Sequence, residues 1–141
     1  MKKAYIAGPL FSDAERAFNL QIEAVCRAAG FETFLPQRDA PVPGPSNGKD
    51  VFGSELRANE WADVIVANLD GMDVDSGTAW EIGYAIARGK SVIGIRTDWR
   101  HFSPNERVNL MIEQSSFIVE DLSQLKNALV AWGNDDRSGH G

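Results

Sequence analysis

Acidic residues crowd the stretch 70–81: Asp70, Asp73 and Asp75 come first, then Ser76-Gly77-Thr78, then Glu81. Carboxyl groups gathered in this way support two chemistries. One is glycosidic bond cleavage by paired acids, in which one carboxylate meets the anomeric carbon and the other manages the proton. The other is coordination of a hard cation such as Ca²⁺ or Mg²⁺ by alternating acids. The run from Asp70 to Asp75 lacks the later bidentate glutamate of an EF-hand, which weighs against the cation. The spacing of Thr78 and Glu81 also fits a capping box, which requires no catalysis. With Thr78 as N-cap, Glu81 falls at N3, where the helix dipole favours its charged form. A glutamate left near its ordinary pKa of roughly 4.3 is ionised and available as a nucleophile at neutral pH. Gly77 leaves the backbone of this turn open to a ligand.

Other candidates stand elsewhere in the chain. Gly8 opens a turn ahead of a helix start, an anion site in outline. No Walker sequence or GxGxxG accompanies it, and Pro9 removes an amide donor. Phe11 in the same turn either stacks on a planar ligand or packs as a hydrophobic staple. Tyr5 shares a strand face with Ala7 and either presents a phenol to a cleft or buries it against a backbone partner. Asn109 interrupts an otherwise apolar helical stretch, as surface residues often do.

These groups need a frame. Short apolar runs at 4–7, 32–35, 63–67, 91–95 and 116–119 alternate with helix-period segments, the pattern of βα units in a parallel sheet. Over 12–29, the residues Ala14, Phe18, Ile22, Val25 and Ala29 form one helical stripe. Ser12 and Glu15 make a capping box before it, and Gly30 stops it. Ala79, Ile82, Gly83 and Ile86 mark a second helix closed by Gly89, and Leu122, Leu125 and Leu129 a third. The proline-rich stretch 36–49 is expected to be a long irregular loop. The expected fold is α/β: one domain over 1–132, a doubly wound five-stranded parallel sheet of flavodoxin or Rossmann type, with flanking helices and a tail at 133–141. Ligands of such sheets sit beyond the carboxyl ends of the strands, so the loops at 8–12, 36–49 and 68–78 compete for the site.

Composition narrows the functions further. The chain has 141 residues, with 14 Lys and Arg against 20 Asp and Glu, a net charge of −6. That balance, with no basic run, lacks the footprint of a DNA- or RNA-polymer binder. Cys26 is the only cysteine and His101 and His140 the only histidines, a poor set for a metal centre. No segment has the length of a signal-peptide core or a membrane span, so a cytoplasmic protein is expected.

Four motifs together resemble the nucleoside 2-deoxyribosyltransferase family. They are Tyr5-Ile-Ala-Gly8-Pro-Leu-Phe11, Ala62-Asp63-Val-Ile-Val-Ala67, Asp75-Ser-Gly-Thr-Ala-Trp-Glu81-Ile-Gly-Tyr-Ala85 with Gly89-Lys90, and Asn109-Leu-Met111. The resemblance implies that Glu81 attacks C1′ of a 2′-deoxynucleoside and forms a glycosyl ester that a second nucleobase resolves with retention. It implies that Tyr5 orients Glu81, that Asp75 holds the sugar hydroxyls with Ser76 and Gly77 beside it, that Phe11 and Gln37 line the base pocket, and that Gly8 is among the substrate-binding residues. Asn109 would complete a neighbouring subunit's site, making the protein a homodimer or larger oligomer that needs no cofactor. Where the family usually has an aspartate managing the base's proton, this chain has Glu55, one methylene longer. Two other readings share the frame. An N-glycoside hydrolase acting on a 5′-monophosphate is disfavoured by the charge of Asp75, though Ser76 keeps it open; a non-catalytic nucleoside-binding module is the other.

Overall fold

A computed structural model describes residues 1–138. Five strands form one parallel sheet: β1 (Lys2–Ala7), β2 (Phe31–Phe34), β3 (Val64–Asn68), β4 (Ser91–Ile95) and β5 (Phe117–Val119). Their order is β2-β1-β3-β4-β5, so the chain changes direction between β1 and β3, with Tyr5 opposite Ile65 and Ala7 opposite Ala67. At such a switch point the loops leaving neighbouring strands diverge to opposite faces and leave a crevice at the carboxyl edge. The doubly wound α/β fold expected from the sequence is the one observed. No helix among the described residues is long and apolar enough to cross a membrane.

Helices α1 (Asp13–Ala28) and α6 (Leu122–Ser138) cover one face of the sheet. The other carries α3 (Gly48–Trp61), α4 (Ser76–Ala87) and α5 (Leu110–Ser115). The two-residue alternation of strands divides the core accordingly. Ala4, Ile6, Val64 and Val66 pack with Ile22, Leu125 and Leu129, while Tyr5, Ala7, Ile65 and Ala67 pack with Ala58, Ile82 and Ala85. Alternation therefore delivers Tyr5 to the α3/α4 face.

Local signals at the ends of α1 hold. Ser12 and Glu15 form both halves of the capping box, and Gly30 follows with a φ of +91°. The buried face differs from the apolar stripe. Ala14 is exposed, whereas Asn19 and Glu23 are buried beside Ile22 and Cys26. Both polar residues tie neighbouring segments to α1: Asn19 donates to Pro9 O (2.9 Å) in the loop after β1, and Glu23 accepts from Thr33 Oγ1 (2.9 Å) of β2 and from Arg38 Nη1 (2.8 Å) in the segment after it. Hydropathy overlooks them because their burial is compensated by hydrogen bonds.

Other departures follow from local packing. The stretch expected to be one irregular loop holds α2 (Pro36–Asp39), started by a proline at N1, and then the beginning of α3. Asn109 caps α5 from outside rather than interrupting it, its Oδ1 accepting from Met111 N (2.9 Å). On α4 the buried positions are Thr78, Ile82 and Ala85, leaving Gly83 and Ile86 outside. Helix α6 continues through Ser138, into the expected tail, and residues 139–141 lie outside the described residues.

One close approach holds the switch point together. A Cβ on Gly8 would lie 2.9 Å from Asn19 Oδ1 and 3.0 Å from Asn68 Cβ, inside ordinary contact distance. Gly8→Ala is therefore expected to lower the urea midpoint by an amount equivalent to about 1–3 kcal/mol, with the m-value unchanged. An unaltered midpoint would show that Asn19 and Asn68 yield freely.

Candidate active site

The acidic segment does not start its helix at Thr78. Asp75 is the N-cap of α4, and its Oδ2 accepts from both Thr78 N and Thr78 Oγ1 at 3.0 Å. Thr78 thus sits at N3, almost wholly buried, and no Thr78–Glu81 capping box exists. Glu81 moves on to the second turn of the helix, away from the amides that would have favoured its charge. Its side chain lies among Tyr5 of β1, Glu55 of α3 and Asp75.

This environment reverses the expected protonation. Burial, with repulsion from Glu55 and Asp75, lifts the Glu81 pKa to about 8, while the adjacent Tyr5 phenol pulls the other way. Tyr5, wholly buried, has its own pKa raised far above the ordinary phenol range, first by burial and then by the charges of Glu81 and Glu55. Burial also raises the Glu55 pKa. The Tyr5 hydroxyl and Glu81 Oε2 are each buried with no hydrogen bond of regular geometry. This environment therefore favours the neutral acid form of Glu81, against the charged form expected from an N3 position.

A cavity of about 380 Å³ opens above this group at the carboxyl edge of the sheet. It brings together Gly8, Phe11, Gln37, Glu55, Asp75, Gly77 and Glu81, seven of the sequence-selected residues. Phe11 stands at its rim, 76% exposed, rather than packed as a staple. Gln37 is fixed through α1, donating to Arg16 O (3.0 Å) and accepting from Asn19 Nδ2 (3.3 Å). Ser76 faces adjoining cavities, and Asn109 lines one of about 630 Å³ between α4 and α5 that Glu81 does not reach. The other acids are spent on amides. Asp70 accepts from Thr97 N (2.7 Å) and Asp98 N (2.9 Å), Asp73 from Val74 N (2.8 Å), and among the described residues no metal-binding cluster forms.

Sequence reasoning missed Asn59 of α3. Its side chain is 1% exposed and its Nδ2 donates to the Glu81 carbonyl (3.1 Å), tying the helix that carries Glu55 to the turn that carries Glu81. The available signal was its place four residues after Glu55, on the same side of a helix.

The model of the nucleoside 2-deoxyribosyltransferase family matches residues 4–129. A 2-deoxyribosyltransferase from Bacillus psychrosaccharolyticus superposes with a TM-score of 0.75 at 30% identity, covering 89% of this chain and 90% of that one. A conserved protein from Enterococcus faecalis V583 gives 0.79 at 27% identity, over 92% and 97% of the two chains. A 2-deoxyribosyltransferase from Leishmania mexicana gives 0.74 at 21% identity, over 93% and 98%, a likeness of fold. No curated protein matches the chain.

A carboxyl whose pKa is raised on folding favours the folded state below its unfolded pKa of roughly 4.3, and that contribution is lost as pH rises through about 8. Glu81→Gln is therefore expected to melt several degrees above the wild-type protein near pH 9, with the gap closing near pH 4. Parallel melting curves across that range would place Glu81 in a solvated site.

Proposed function

The chain belongs to the nucleoside 2-deoxyribosyltransferase family, and we propose that it moves the 2-deoxyribosyl group between nucleobases through a covalent ester on Glu81. The observation that carries this reading is a carboxyl from α4 placed against Tyr5 and Glu55, under a cavity at the switch point of the sheet. In the proposed reaction the Glu81 carboxylate attacks C1′ through an oxocarbenium-like transition state. The C1′–N bond breaks, its electron pair leaves with the base, and the Glu55 carboxyl supplies the base with a proton. A second base then attacks the ester from the vacated face, so that two inversions give retention.

Tyr5 would orient the nucleophile, Asp75, with Ser76 and Gly77 beside it, would hold the sugar, and Gly8, Phe11 and Gln37 would take the base. The carboxylate of Asp75 favours a neutral nucleoside, since a 5′-phosphate there meets like charge. Within one chain Asn109 does not share the Glu81 cavity, and Leu110, Met111 and Ile86 are exposed near it. That placement supports a homo-oligomer in which Asn109 serves a neighbour's site.

Incubation with deoxyinosine and adenine is expected to yield deoxyadenosine on chromatography. Hypoxanthine and free deoxyribose without a new nucleoside would make the protein a hydrolase, and no product from any nucleoside or monophosphate would make it a binding module. Glu81→Gln is expected to lose at least ~10³-fold in kcat while still binding nucleoside. Because the reaction needs one proton on the carboxyl pair, carried by Glu55 when Glu81 is charged, kcat/KM is expected to fall as pH rises through about 8. Mixing Glu81→Gln with Asn109→Ala subunits is expected to restore activity that neither has alone; failure to complement would remove the shared site.

A further inference from the structure

Five polar side chains line the cavity assigned to the nucleoside. Glu55, Asp75 and Glu81 are spent on the sugar and on the proton of the departing base, which leaves Arg16 and Gln37 to face the base itself. Their free hydrogen-bonding capacity is one-sided. Of the five N–H groups of the Arg16 guanidinium, one goes to Leu10 O (2.9 Å) and one to Asp13 Oδ1 (2.6 Å), leaving three. Gln37 donates through Nε2 to Arg16 O (3.0 Å) and accepts through Oε1 from Asn19 Nδ2 (3.3 Å), which leaves one N–H and one lone pair. Four spare donors thus stand against one spare acceptor. The same bonds hold both groups in place: Leu10 O anchors the guanidinium beside Phe11, and the buried amide of Asn19 orients that of Gln37. The carboxylate paired with Arg16 belongs to Asp13, whose side chain is fully exposed, so water screens it and the guanidinium keeps most of its attraction at the cavity wall.

We propose, resting on the function given above, that Arg16 is a specificity-determining residue that selects 6-oxopurines, its guanidinium donating to O6 and N7 of hypoxanthine or guanine. That edge of a 6-oxopurine offers two adjacent acceptors and no donor, the pattern a guanidinium fork matches. Adenine carries an amino group in place of O6 and turns N–H against N–H. A pyrimidine has no second acceptor beside its 4-substituent, so it meets one arm of the fork only. The contact also strengthens during the reaction. As the C1′–N bond breaks, its electron pair spreads over the ring nitrogens and O6, and a cation at that edge stabilises the departing base more than the intact nucleoside.

Calorimetric binding to Glu81→Gln separates recognition from turnover. Deoxyinosine is expected to bind about 10- to 100-fold more tightly than deoxyadenosine, and Arg16→Met in that background to bring the two within about twofold. A loosened start of α1 would weaken both nucleosides alike and leave their ratio standing. Should Arg16→Met fail to fold, 7-deazadeoxyinosine, which lacks only the N7 acceptor, decides on the unaltered pocket: it is expected to bind at least about fivefold more weakly than deoxyinosine, and equal binding overturns the proposal. Equal affinities for deoxyinosine and deoxyadenosine overturn it too, as does a ratio that Arg16→Met leaves unchanged. So does a loss on Arg16→Met confined to deoxyinosine 5′-monophosphate, which would make Arg16 a phosphate ligand. An enzyme that transfers bases without this preference sinks the selection alone, whereas a protein that binds deoxyinosine selectively yet turns over no nucleoside sinks the functional reading.

Discussion

An acid side chain buried beside a phenol and a second acid, with no cation among the groups that shift it, is the constraint around which this molecule is organised. Water stabilises a carboxylate far better than a protein interior does, so such a group becomes neutral unless something compensates its charge. Here the compensation is incomplete: Tyr5 offers a hydroxyl, while Glu55 and Asp75 offer repulsion. The site is thus destabilising in its charged form, and the two layers of apolar core on either side of the sheet must carry that cost. Locally unfavourable, charge-shifting features of this kind cluster at functional sites, which is what the proposed role of Glu81 draws on.

The topology decides which groups meet. Reversal of chain direction between β1 and β3 opens the crevice, and strand alternation turns Tyr5 to the same side as α3 and α4. Helix α1, on the other face, reaches the crevice only through its polar residues. Asn19 links Pro9, Gln37 and Asn68, so the loop after β1, the helix after β2 and the end of β3 are joined at one buried amide. The loops after β3 and β4 are joined in turn by Asp70 and by Arg96, whose guanidinium donates to Leu69 O (2.6 Å), Gly71 O (2.9 Å) and Arg100 O (2.7 Å). The acids that resembled a cation site in sequence are fastenings of these loops.

Much of this was legible in the residues, and the failures share a cause. The five strands, the Ser12–Glu15 box and the stop at Gly30 are local patterns, and the structure contains them. The error at Thr78 came from two residues competing for one cap. Asp75 takes the position because its carboxylate accepts two hydrogen bonds from Thr78, whose side chain can then be buried. Asn59, Asn19 and Glu23 escaped notice because a polar residue on a buried face is indistinguishable by hydropathy from one in solvent.

By itself the sequence determined the order of the elements and the family to which the chain belongs, since propensity, capping and motif spacing act over a few neighbouring residues. Only the tertiary structure decided that burial favours the neutral form of Glu81, that it stands between two cavities, and that Asn109 lies apart from it. Those properties depend on burial and on charges brought from β1, α3 and the loop before α4, and solvation at a point in space is set by every element that reaches it, however distant along the chain.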